Sequence, residues 1–462
     1  MISLSLSEIA GITGGTLHDV PDPAVCLTGP TVCDSREAAP GGMFVAITGE
    51  HADGNDYAVS AVAAGAVCVL ASRPVGVPAV VVENVMAALG MLAREAGRRT
   101  GATVIGLTGS AGKTSTKDML AQVLERHGPT VATARSLNTE IGLLLTMLRA
   151  DLETRYLVLE MGARHIGDIR YLTGLVPPTV GLVINVGTAH VGEFGSRAAI
   201  AEAKGELVEA LPDGGLAVLN ADDELVAAMA ARTAARVLMY GRAGHADVRA
   251  EEVELVGGRA RFRLSAAGVS APAALRFLGE HQVSNALGAA AVAYGLGMAV
   301  PDIAAALSAA RPLASGRLEV TERPDGITIV NDAFNANPDS VRAALETLAA
   351  MAAGRRTVAV LGEMAELGDT TRLAHEQAGQ LAADLGIDIL VAVGGAGEAA
   401  LAGAARGRGG RMQVTVVPDP AAALSALRGL LRPGDIVLAK ASHAMHLEDL
   451  AVRLAATGGP AA

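Results

Sequence analysis

The chain has 462 residues, with 48 acidic side chains against 37 lysines and arginines and a formal net charge of −11. This charge argues against a protein that binds nucleic acid through a basic surface, and the aromatic content of 2% argues against stacking platforms for single strands. Hydrophobic residues make up 51% of the chain. No stretch, however, reaches the roughly 20 uninterrupted apolar residues of a membrane span. We expect about two to four domains, no membrane span and no nucleic-acid partner.

The N-terminal residues and the cysteines indicate the compartment. The segment MISLSLSEIAGITGGTLHD contains neither the basic region nor the continuous apolar region of a signal peptide. Cys26, Cys33 and Cys68 are an odd number of thiols, and their spacing suits neither a disulfide framework nor a zinc site. Both features favour a soluble, cytoplasmic protein.

The order of apolar and polar segments predicts an α/β protein built from three blocks. Strand-length apolar runs alternate with Ala- and Leu-rich helical stretches, which is typical of largely parallel sheets. Residues 1–99 predict a small α/β domain, 100–314 a central domain and 315–462 a second doubly wound unit. Polar–apolar alternation at 246–272 predicts an antiparallel hairpin. We expect the tail ATGGPAA, residues 456–462, to fray.

A glycine-rich loop follows the apolar strand Thr103–Leu107 and opens a helix. Its sequence, GSAGKTS, is shorter than the full GxxxxGK[ST] pattern but keeps the Lys-Thr pair at the helix start. Backbone N–H groups and the helix dipole attract phosphate oxygens there, Lys113 suits the β- and γ-phosphates, and the Thr114 hydroxyl suits Mg²⁺. An ordinary strand-to-helix turn is the alternative. The loop predicts an ATP or GTP site formed by Gly109, Ser110, Ala111, Gly112, Lys113, Thr114 and Ser115.

Polar residues at the ends of later strands add candidates for the same site. Glu160 ends the apolar run Tyr156–Leu159, and His190 follows the next strand. Ligands of open α/β sheets collect at this edge, where a carboxylate suits Mg²⁺. Taken alone, His190 is interpreted as a packed loop residue. Lys204, in IAEAKGELVEAL, is interpreted alone as a solvated lysine paired on its helix.

Together these motifs resemble the Mur ligases, in the order in which that family carries them and over nearly the whole chain. They are DSR, GGMFVAITGEHADGNDYAVSAVAAGAVCVL, TGSAGKTSTK, LNTEIG, EMGARHIGDI, GTAHVGEFGS, EAKGE, GEHQVSNALGAA, SGRLEV, NDAFNANPDS, LGEMAELG and KASHAMHLEDL. The resemblance implies three domains: a small N-terminal α/β domain that binds a UDP-linked substrate, a central P-loop ATPase-like domain with a parallel sheet, and a C-terminal Rossmann-like ligase domain.

The resemblance also assigns roles to residues. In the family, a lysine at the position of Lys204 is carbamylated by CO₂, and this group would hold Mg²⁺ together with Thr114, Glu160 and His190. ATP contacts beyond the loop are implied for Asn285, Arg317 and Asp332, with Arg317 reaching the γ-phosphate when the domains close. The implied catalytic residues are Lys113, Glu160, His190, Lys204 and Arg317. Substrate contacts are expected from Ser35, Arg36, Asn138, Thr139, Asn335 and Asn337.

The implied activity is that of an ATP-dependent amide ligase of peptidoglycan precursor synthesis. The motifs are most similar to the branch that joins D-alanyl-D-alanine to a UDP-N-acetylmuramoyl tripeptide through an acyl phosphate. We expect such a protein to be a monomer. The family usually has other residues at Ala111, Thr139, Leu144, Phe334 and His443, which leaves the amine specificity open. Two alternatives therefore stand: a paralogous amide ligase of specialised metabolism with another acyl donor or amine, and a nucleotide-dependent binding protein without turnover.

Overall fold

The computed structural model describes residues 2–49, 51–395 and 412–456, and these ranges fold around three β-sheets. In each sheet the strands are parallel except at one edge. The predicted α/β class and three-domain architecture are confirmed. The boundaries between residues 99 and 100 and between 314 and 315 stay predictions. The tail expected to fray lies outside the described residues, apart from Ala456.

The first domain has five short strands in the order β1-β5-β4-β3-β2, of which β1 is antiparallel. The strands are β1 (Thr16–His18), β2 (Thr31–Val32), β3 (Met43–Val45), β4 (Cys68–Ala71) and β5 (Ala79–Val81). The helices are α1 (Leu6–Thr13), α2 (Ala58–Ala63) and α3 (Val85–Thr100). The Ser5 side chain accepts from the Glu8 N–H and so caps α1, which satisfies a helix-end donor. The three cysteines are free thiols, as expected.

The central domain has nine strands in the order β14-β13-β12-β11-β10-β9-β6-β8-β7. They are β6 (Thr103–Thr108), β7 (Thr130–Ala132), β8 (Tyr156–Glu160), β9 (Val180–Val183), β10 (Leu216–Asn220), β11 (Arg236–Gly241), β12 (Val248–Val256), β13 (Arg259–Ala266) and β14 (Val269–Leu278). The predicted hairpin is incomplete, because β12, β13 and β14 form a three-stranded antiparallel meander that extends beyond residue 272. The helices are α4 (Lys113–Glu125), α5 (Glu140–Leu148), α6 (Asp168–Leu175), α7 (Val191–Phe194), α8 (Arg197–Glu209), α9 (Glu224–Ala227), α10 (Gln282–Gly295) and α11 (Val300–Ala309).

The third domain has six strands in the order β15-β16-β20-β17-β18-β19, with β15 antiparallel at the edge. The strands are β15 (Glu319–Glu322), β16 (Thr328–Asn331), β17 (Thr357–Leu361), β18 (Ile389–Val393), β19 (Gln413–Val417) and β20 (Ile436–Lys440). The helices are α12 (Pro338–Met351), α13 (Thr371–Asp384), α14 (Pro420–Leu430) and α15 (Leu447–Ala456). Strands β16, β17, β18 and β20 are buried along their whole length, which explains their continuous apolar runs.

The first and central domains pack through helices. Helix α3 packs on α5, where Leu92 and Met147 belong to one buried cluster.

Short 3₁₀ turns lie at Ser35–Glu37, Gly54–Tyr57, Ala228–Arg232, Gly368–Thr370 and His443–Met445. Among the described helices, none combines the length and hydrophobicity that crossing a membrane requires.

Candidate active site

A cavity of about 930 Å³ lies where the phosphate-loop edge of the central sheet faces the third domain. The carboxyl ends of β6 and β8 open into it, which is where ligands of open α/β sheets bind. Fifteen of the sequence-predicted site residues line it: Ser110, Ala111, Gly112, Lys113, Thr114, Ser115, Asn138, Thr139, Glu160, His190, Asn285, Arg317, Asp332, Asn335 and Asn337. Gly109, Lys204, Ser35 and Arg36 do not line it.

The predicted phosphate loop connects β6 to α4. Gly112 has φ +79°, in the left-handed region, and a Cβ there would lie 2.4 Å from Asn285 Oδ1. Glycine is therefore required at this position for two reasons, the backbone conformation and the close approach of α10. The Asn285 side chain donates to Gln282 Oε1 at 2.8 Å and so is held against the loop. The predicted proximity of Asn285 to the phosphate loop is thus present in the fold.

Asn185, which sequence reasoning missed, fixes the shape of the phosphate loop. Its Oδ1 accepts from the backbone N–H groups of Ser110 and Ala111, both at 2.9 Å. The Lys113 Nζ donates to the Gly109 carbonyl at 2.8 Å. The pKa of Lys113 is lowered by burial. In the sequence, Asn185 stands out only as the one amide side chain in the otherwise apolar run VGLVINV.

Glu160 supplies a buried carboxylate with one unsatisfied oxygen. Its Oε1 accepts from Asn138 Nδ2 at 3.0 Å, whereas Oε2 is buried and has no hydrogen-bond partner among the described residues. The hydroxyl groups of Thr114 and Ser136 lie 3.1 Å apart. No group of three or more His, Cys, Asp or Glu side chains in the described ranges forms a metal cage. Mg²⁺ needs no such cage, because it commonly binds through one or two carboxylates, water and substrate phosphates.

Lys204 is buried in the middle of α8, with 4% of its surface exposed. Burial lowers its pKa well below the usual value, and the positive charge of Lys113 lowers it further. No hydrogen bond or ion pair joins its Nζ to another described residue. The interpretation of Lys204 as a solvated, paired lysine is therefore wrong. Burial without a counter-ion disfavours the charged form of an amine, and the uncharged form is nucleophilic.

His190 has φ +58° and precedes the short helix α7. Its Nδ1 contacts the carboxylate of Glu366, a third-domain residue that sequence reasoning did not assign. Burial lowers the pKa of the imidazole, and the Glu366 carboxylate opposes this effect. His190 is thus a loop residue packed against another domain, as interpreted from the sequence alone, and it also lines the cavity.

Arg317 enters the cavity from the third domain. Its guanidinium carbon lies 4.4 Å from the centroid of the Phe334 ring, which is cation–π distance. Its Nε is buried without a hydrogen-bond partner in the described part of the chain. Burial lowers the pKa of this arginine, although nearby carboxylates oppose the effect. An arginine with a buried, unsatisfied donor is suited to an anionic ligand.

Asp332 is paired with Lys440, a lysine to which the sequence analysis assigned no role. Its Oδ2 accepts from Lys440 Nζ at 2.6 Å, and its Oδ1 accepts from the Leu318 N–H at 3.1 Å. Lys440 Nζ also donates to the Asn335 carbonyl at 3.1 Å. Burial lowers the pKa of Lys440, and Asp332 opposes this effect. The pair therefore ties β20 to the segment that follows Arg317.

Two predicted substrate residues of the third domain contribute differently to the cavity. The Asn337 Oδ1 accepts from the Ser340 N–H at 2.9 Å and caps α12, so this side chain has a structural partner. Asn335 Oδ1 accepts only from the neighbouring Ala336 N–H, at 2.9 Å, among the described residues. Asn335 is the better placed of the two to contact a ligand.

Ser35 and Arg36 lie in a 3₁₀ turn of the first domain, outside this cavity. The Arg36 guanidinium pairs with Asp34, with Nη2 2.6 Å from Oδ2. This arginine lowers the pKa of Asp34 to about 2. The structure therefore does not bring these two predicted substrate residues together with the phosphate loop.

Lys117 connects the phosphate-loop helix to the loop that carries Ser136. This buried lysine of α4 donates to the carbonyls of Thr133 and Arg135, both at 2.7 Å, and its Nζ lies 2.9 Å from Asp118 Oδ1. Arg135 has φ +48°, an uncommon conformation for a residue other than glycine. Lys117 thus stabilises the backbone that presents Ser136 to the cavity.

We expect Lys117→Met to lower the free energy of unfolding by about 3–5 kcal/mol, because Asp118 is then left buried without its cation. Urea denaturation followed by circular dichroism measures the change. Arg126→Met, an exposed residue just beyond the end of α4, is the control and should change stability by less than about 0.5 kcal/mol. Equal stability of both variants would contradict the role given to Lys117.

A phosphate loop that faces an arginine of another domain is an arrangement typical of phosphoryl-transfer enzymes. This protein is an ATP-dependent ligase. Family models match three successive segments: the Mur ligase family catalytic domain at 31–106, the Mur ligase middle domain at 107–293 and the Mur ligase glutamate ligase domain at 316–443. The chain belongs to the Mur ligase family.

Relatives and solved structures resemble the chain over nearly its whole length. The UDP-N-acetylmuramoyl-tripeptide–D-alanyl-D-alanine ligase of Mycobacterium bovis is 47% identical, and the alignment covers 99% of this chain and 98% of that protein. A crystal structure of MurF from Acinetobacter baumannii superposes with a TM-score of 0.87 at 34% identity and covers 98% of this chain and 99% of that one. The MurF ligase from Thermotoga maritima in complex with ADP has a TM-score of 0.78 at 30% identity, covering 93% and 97%.

Proposed function

We propose that the protein joins D-alanyl-D-alanine to a UDP-N-acetylmuramoyl tripeptide and converts ATP to ADP and phosphate, in peptidoglycan precursor synthesis. The observation that carries this proposal is the 47% identity, over 99% of the chain, to a ligase of that name. The cavity supports it, because Lys113 of the central domain and Arg317 of the third domain both line it.

The chemistry requires activation of a carboxylate, because hydroxide is a poor leaving group. An oxygen of the tripeptide carboxylate attacks the γ-phosphorus of ATP, ADP leaves, and an acyl phosphate forms. The amine of the dipeptide then attacks the acyl carbon, loses a proton, and displaces phosphate. We assign neutralisation of the phosphate charge to Lys113 and Arg317. Docking of the third domain excludes water, which would otherwise hydrolyse the acyl phosphate.

Mg²⁺ is the cation that we propose for this site. The buried Glu160 Oε2 has no partner among the described residues, and the Thr114 hydroxyl lines the same cavity, so these oxygen donors fit a hard cation. His190 and Lys204 complete the proposed set. When bound, Mg²⁺ supplies charge neutralisation and orientation of the phosphates.

We propose that Lys204 is carbamylated. Because burial disfavours the charged form of the amine, its uncharged nitrogen can attack the carbon of CO₂, so that an N–C bond forms, one C=O π bond opens onto oxygen, and the nitrogen releases a proton. The product carries a negative charge on oxygen in place of an amine. This change converts Lys204 into an oxygen ligand of the kind that Mg²⁺ prefers.

The remaining assignments extend the same proposal. Ser35 and Arg36 are proposed to contact the uridine nucleotide in the first domain. The other proposed substrate contacts come from Asn138, Thr139, Asn335 and Asn337. A monomeric state and a cytoplasmic location stay predictions from the sequence.

A paralogous ligase with another amine remains the second candidate, and one observation favours it. His443 lines the cavity at a position where the family usually has arginine. Its ring centroid lies 5.6 Å from that of Phe334, and its Nδ1 lies 3.2 Å from Glu448 Oε1. A histidine cannot form the bidentate contact to a carboxylate that arginine forms.

The deciding experiment measures ATP-dependent phosphate release with UDP-muramoyl tripeptide, with and without D-alanyl-D-alanine. We expect release to depend on the dipeptide, and mass spectrometry to detect UDP-muramoyl pentapeptide. Lys113→Ala, purified in the same way, controls for contaminating ATPases and should lose ATP affinity or turnover. Binding of ATP without formation of pentapeptide would favour the paralogous ligase, for which a screen of acids and amines is the next step.

A further inference from the structure

The segment 187–192 of the central domain carries His190, and a third-domain carboxylate accepts hydrogen bonds from the start of this segment. Asp339 Oδ2 accepts from the backbone N–H of Thr188 at 2.9 Å and from its Oγ1 at 3.2 Å. A Cβ on Gly187 would lie 2.2 Å from the same oxygen. Only glycine at position 187 therefore allows Asp339 to approach this closely.

A second third-domain carboxylate contacts the end of the same segment. Glu366 contacts His190 Nδ1 through one oxygen and Arg164 Nη2 at 3.2 Å through the other. The Glu366 carbonyl also accepts from the Gly192 N–H at 3.2 Å. A Cβ on Gly192 would lie 2.8 Å from the Gly368 backbone nitrogen. The two domains thus meet backbone to backbone beside His190.

The backbone at this contact is unusual on both sides. His190 has φ +58° and Glu366 has φ +60°, both in the left-handed region. Residues other than glycine keep this conformation where the surrounding structure over-determines it, and such residues cluster at functional sites. Here each residue's side chain contacts the other's, across the domain interface.

We propose that Asp339 and Glu366 form an interdomain clamp that positions segment 187–192, and with it the His190 ring, when the third domain docks on the central domain. The expected effect of the clamp on kcat rests on the proposed function, whereas its expected effect on domain docking rests on geometry alone. The same movement that carries Arg317 into the cavity then orients His190. The phosphoryl-transfer site is therefore complete in the docked arrangement and incomplete without it.

The contact also selects one form of the imidazole. A carboxylate only accepts hydrogen bonds, so this contact places a hydrogen on His190 Nδ1, and in the neutral imidazole Nε2 then keeps its lone pair. Nε2 is then the atom available to a cation. Carboxylates that hold a ligating histidine in this way commonly change metal affinity or activity by about 10–100-fold when they are removed.

Three variants of the full-length protein test the clamp: Glu366→Gln, Asp339→Ala and Gly192→Ala. We expect Glu366→Gln to lower kcat about 10–100-fold. We expect ADP affinity to fall much less than kcat, because the phosphate loop and Asn285 lie in the central domain and only Arg317 and Asp332 are expected to contact the nucleotide from the third domain. Gly192→Ala separates the domains by steric conflict and should act in the same direction. Asp339→Asn retains an acceptor oxygen for Thr188 and should recover most of the activity that Asp339→Ala loses.

Two further readouts separate positioning from general stability. Small-angle scattering with ADP and UDP-muramoyl tripeptide bound should show a larger radius of gyration for Glu366→Gln and Gly192→Ala than for the wild type. The ¹⁵N shifts of the His190 ring should show loss of the single tautomer in Glu366→Gln. Glu376→Gln, which removes an ordinary helix ion pair with Arg372 in the same domain, is the control and should change neither.

Wild-type turnover, scattering and ring shifts in Glu366→Gln and Gly192→Ala would overturn the clamp. If a variant has a lowered thermal midpoint, its kcat is compared with the kcat and the midpoint of Asp339→Asn and of the control. A kcat that falls in proportion to stability, with no change in docking, also overturns the clamp. If the wild type makes no pentapeptide, the proposed function fails. The scattering and ring shifts still decide the clamp in that case.

Discussion

Lys204→Ala is expected to lower kcat for amide formation by at least about 10²–10³-fold, the loss typical of removing one group that stabilises transition-state charge. The side chain is buried in α8, and burial lowers the pKa of its amine. We have proposed that this amine is carbamylated and then binds Mg²⁺. Alanine removes the amine that CO₂ modifies. Because Lys204 does not line the cavity and no described hydrogen bond joins it to the phosphate loop, calorimetric titration in the absence of a divalent cation should find ADP binding largely unchanged.

A direct measurement of the modification accompanies the kinetics. With ¹³C-bicarbonate, the wild type should show a carbamate carbon resonance that is absent from Lys204→Ala and Lys204→Arg. Only four lysines occur in the chain, so few side chains compete for this signal. We expect small carboxylic acids not to restore Lys204→Arg fully. Wild-type turnover by Lys204→Ala would exclude a role for the carbamate.

Arg317→Ala is expected to lower kcat by about 10³-fold or more, within the range measured for arginines that contact a transferring phosphoryl group. The guanidinium lies over the Phe334 ring, and its buried Nε has no partner among the described residues. Partial burial reduces the screening of its charge by water, which strengthens its interaction with an anionic ligand.

Kinetics with saturating and limiting ATP separate the effect on kcat from the effect on KM. Arg317→Lys keeps one charge but loses the planar donors, so we expect partial recovery only. Arg311→Ala, an exposed arginine shortly before Arg317 in the chain, is the matched control and should retain wild-type kinetics. A change in KM alone, with kcat unaffected, would place Arg317 in ATP binding and not in transfer.

The phosphate loop could be predicted because its chemistry is local. A strand, a glycine turn and a Lys-Thr pair at a helix start are contiguous, so their geometry follows from chain order. Glu160 followed from the rule that parallel strands end at a common edge. Lys204 and Arg317 are distant in sequence from the loop, and only the family resemblance indicated their roles.

Other contributors were missed because their partners are far away in the chain. Asn185 contacts the phosphate loop about 75 positions away, and Lys440 contacts Asp332 at a separation of 108 positions. One signal was available for the lysines. Of 37 basic residues only four are lysines. Lys113 and Lys440 line the cavity, Lys117 holds the backbone beside Ser136, and the charge of Lys113 acts on the pKa of the buried Lys204.

By itself the sequence determined the α/β class, the three-domain order and the position of the phosphate loop, because apolar periodicity and turn residues act over a few neighbours. Only the tertiary structure decided that Lys204 is buried without a partner among the described residues and that His190 faces Glu366 across a domain interface. Burial, pKa and contacts between domains depend on which surfaces meet. That is a property of the packed chain and not of any segment within it.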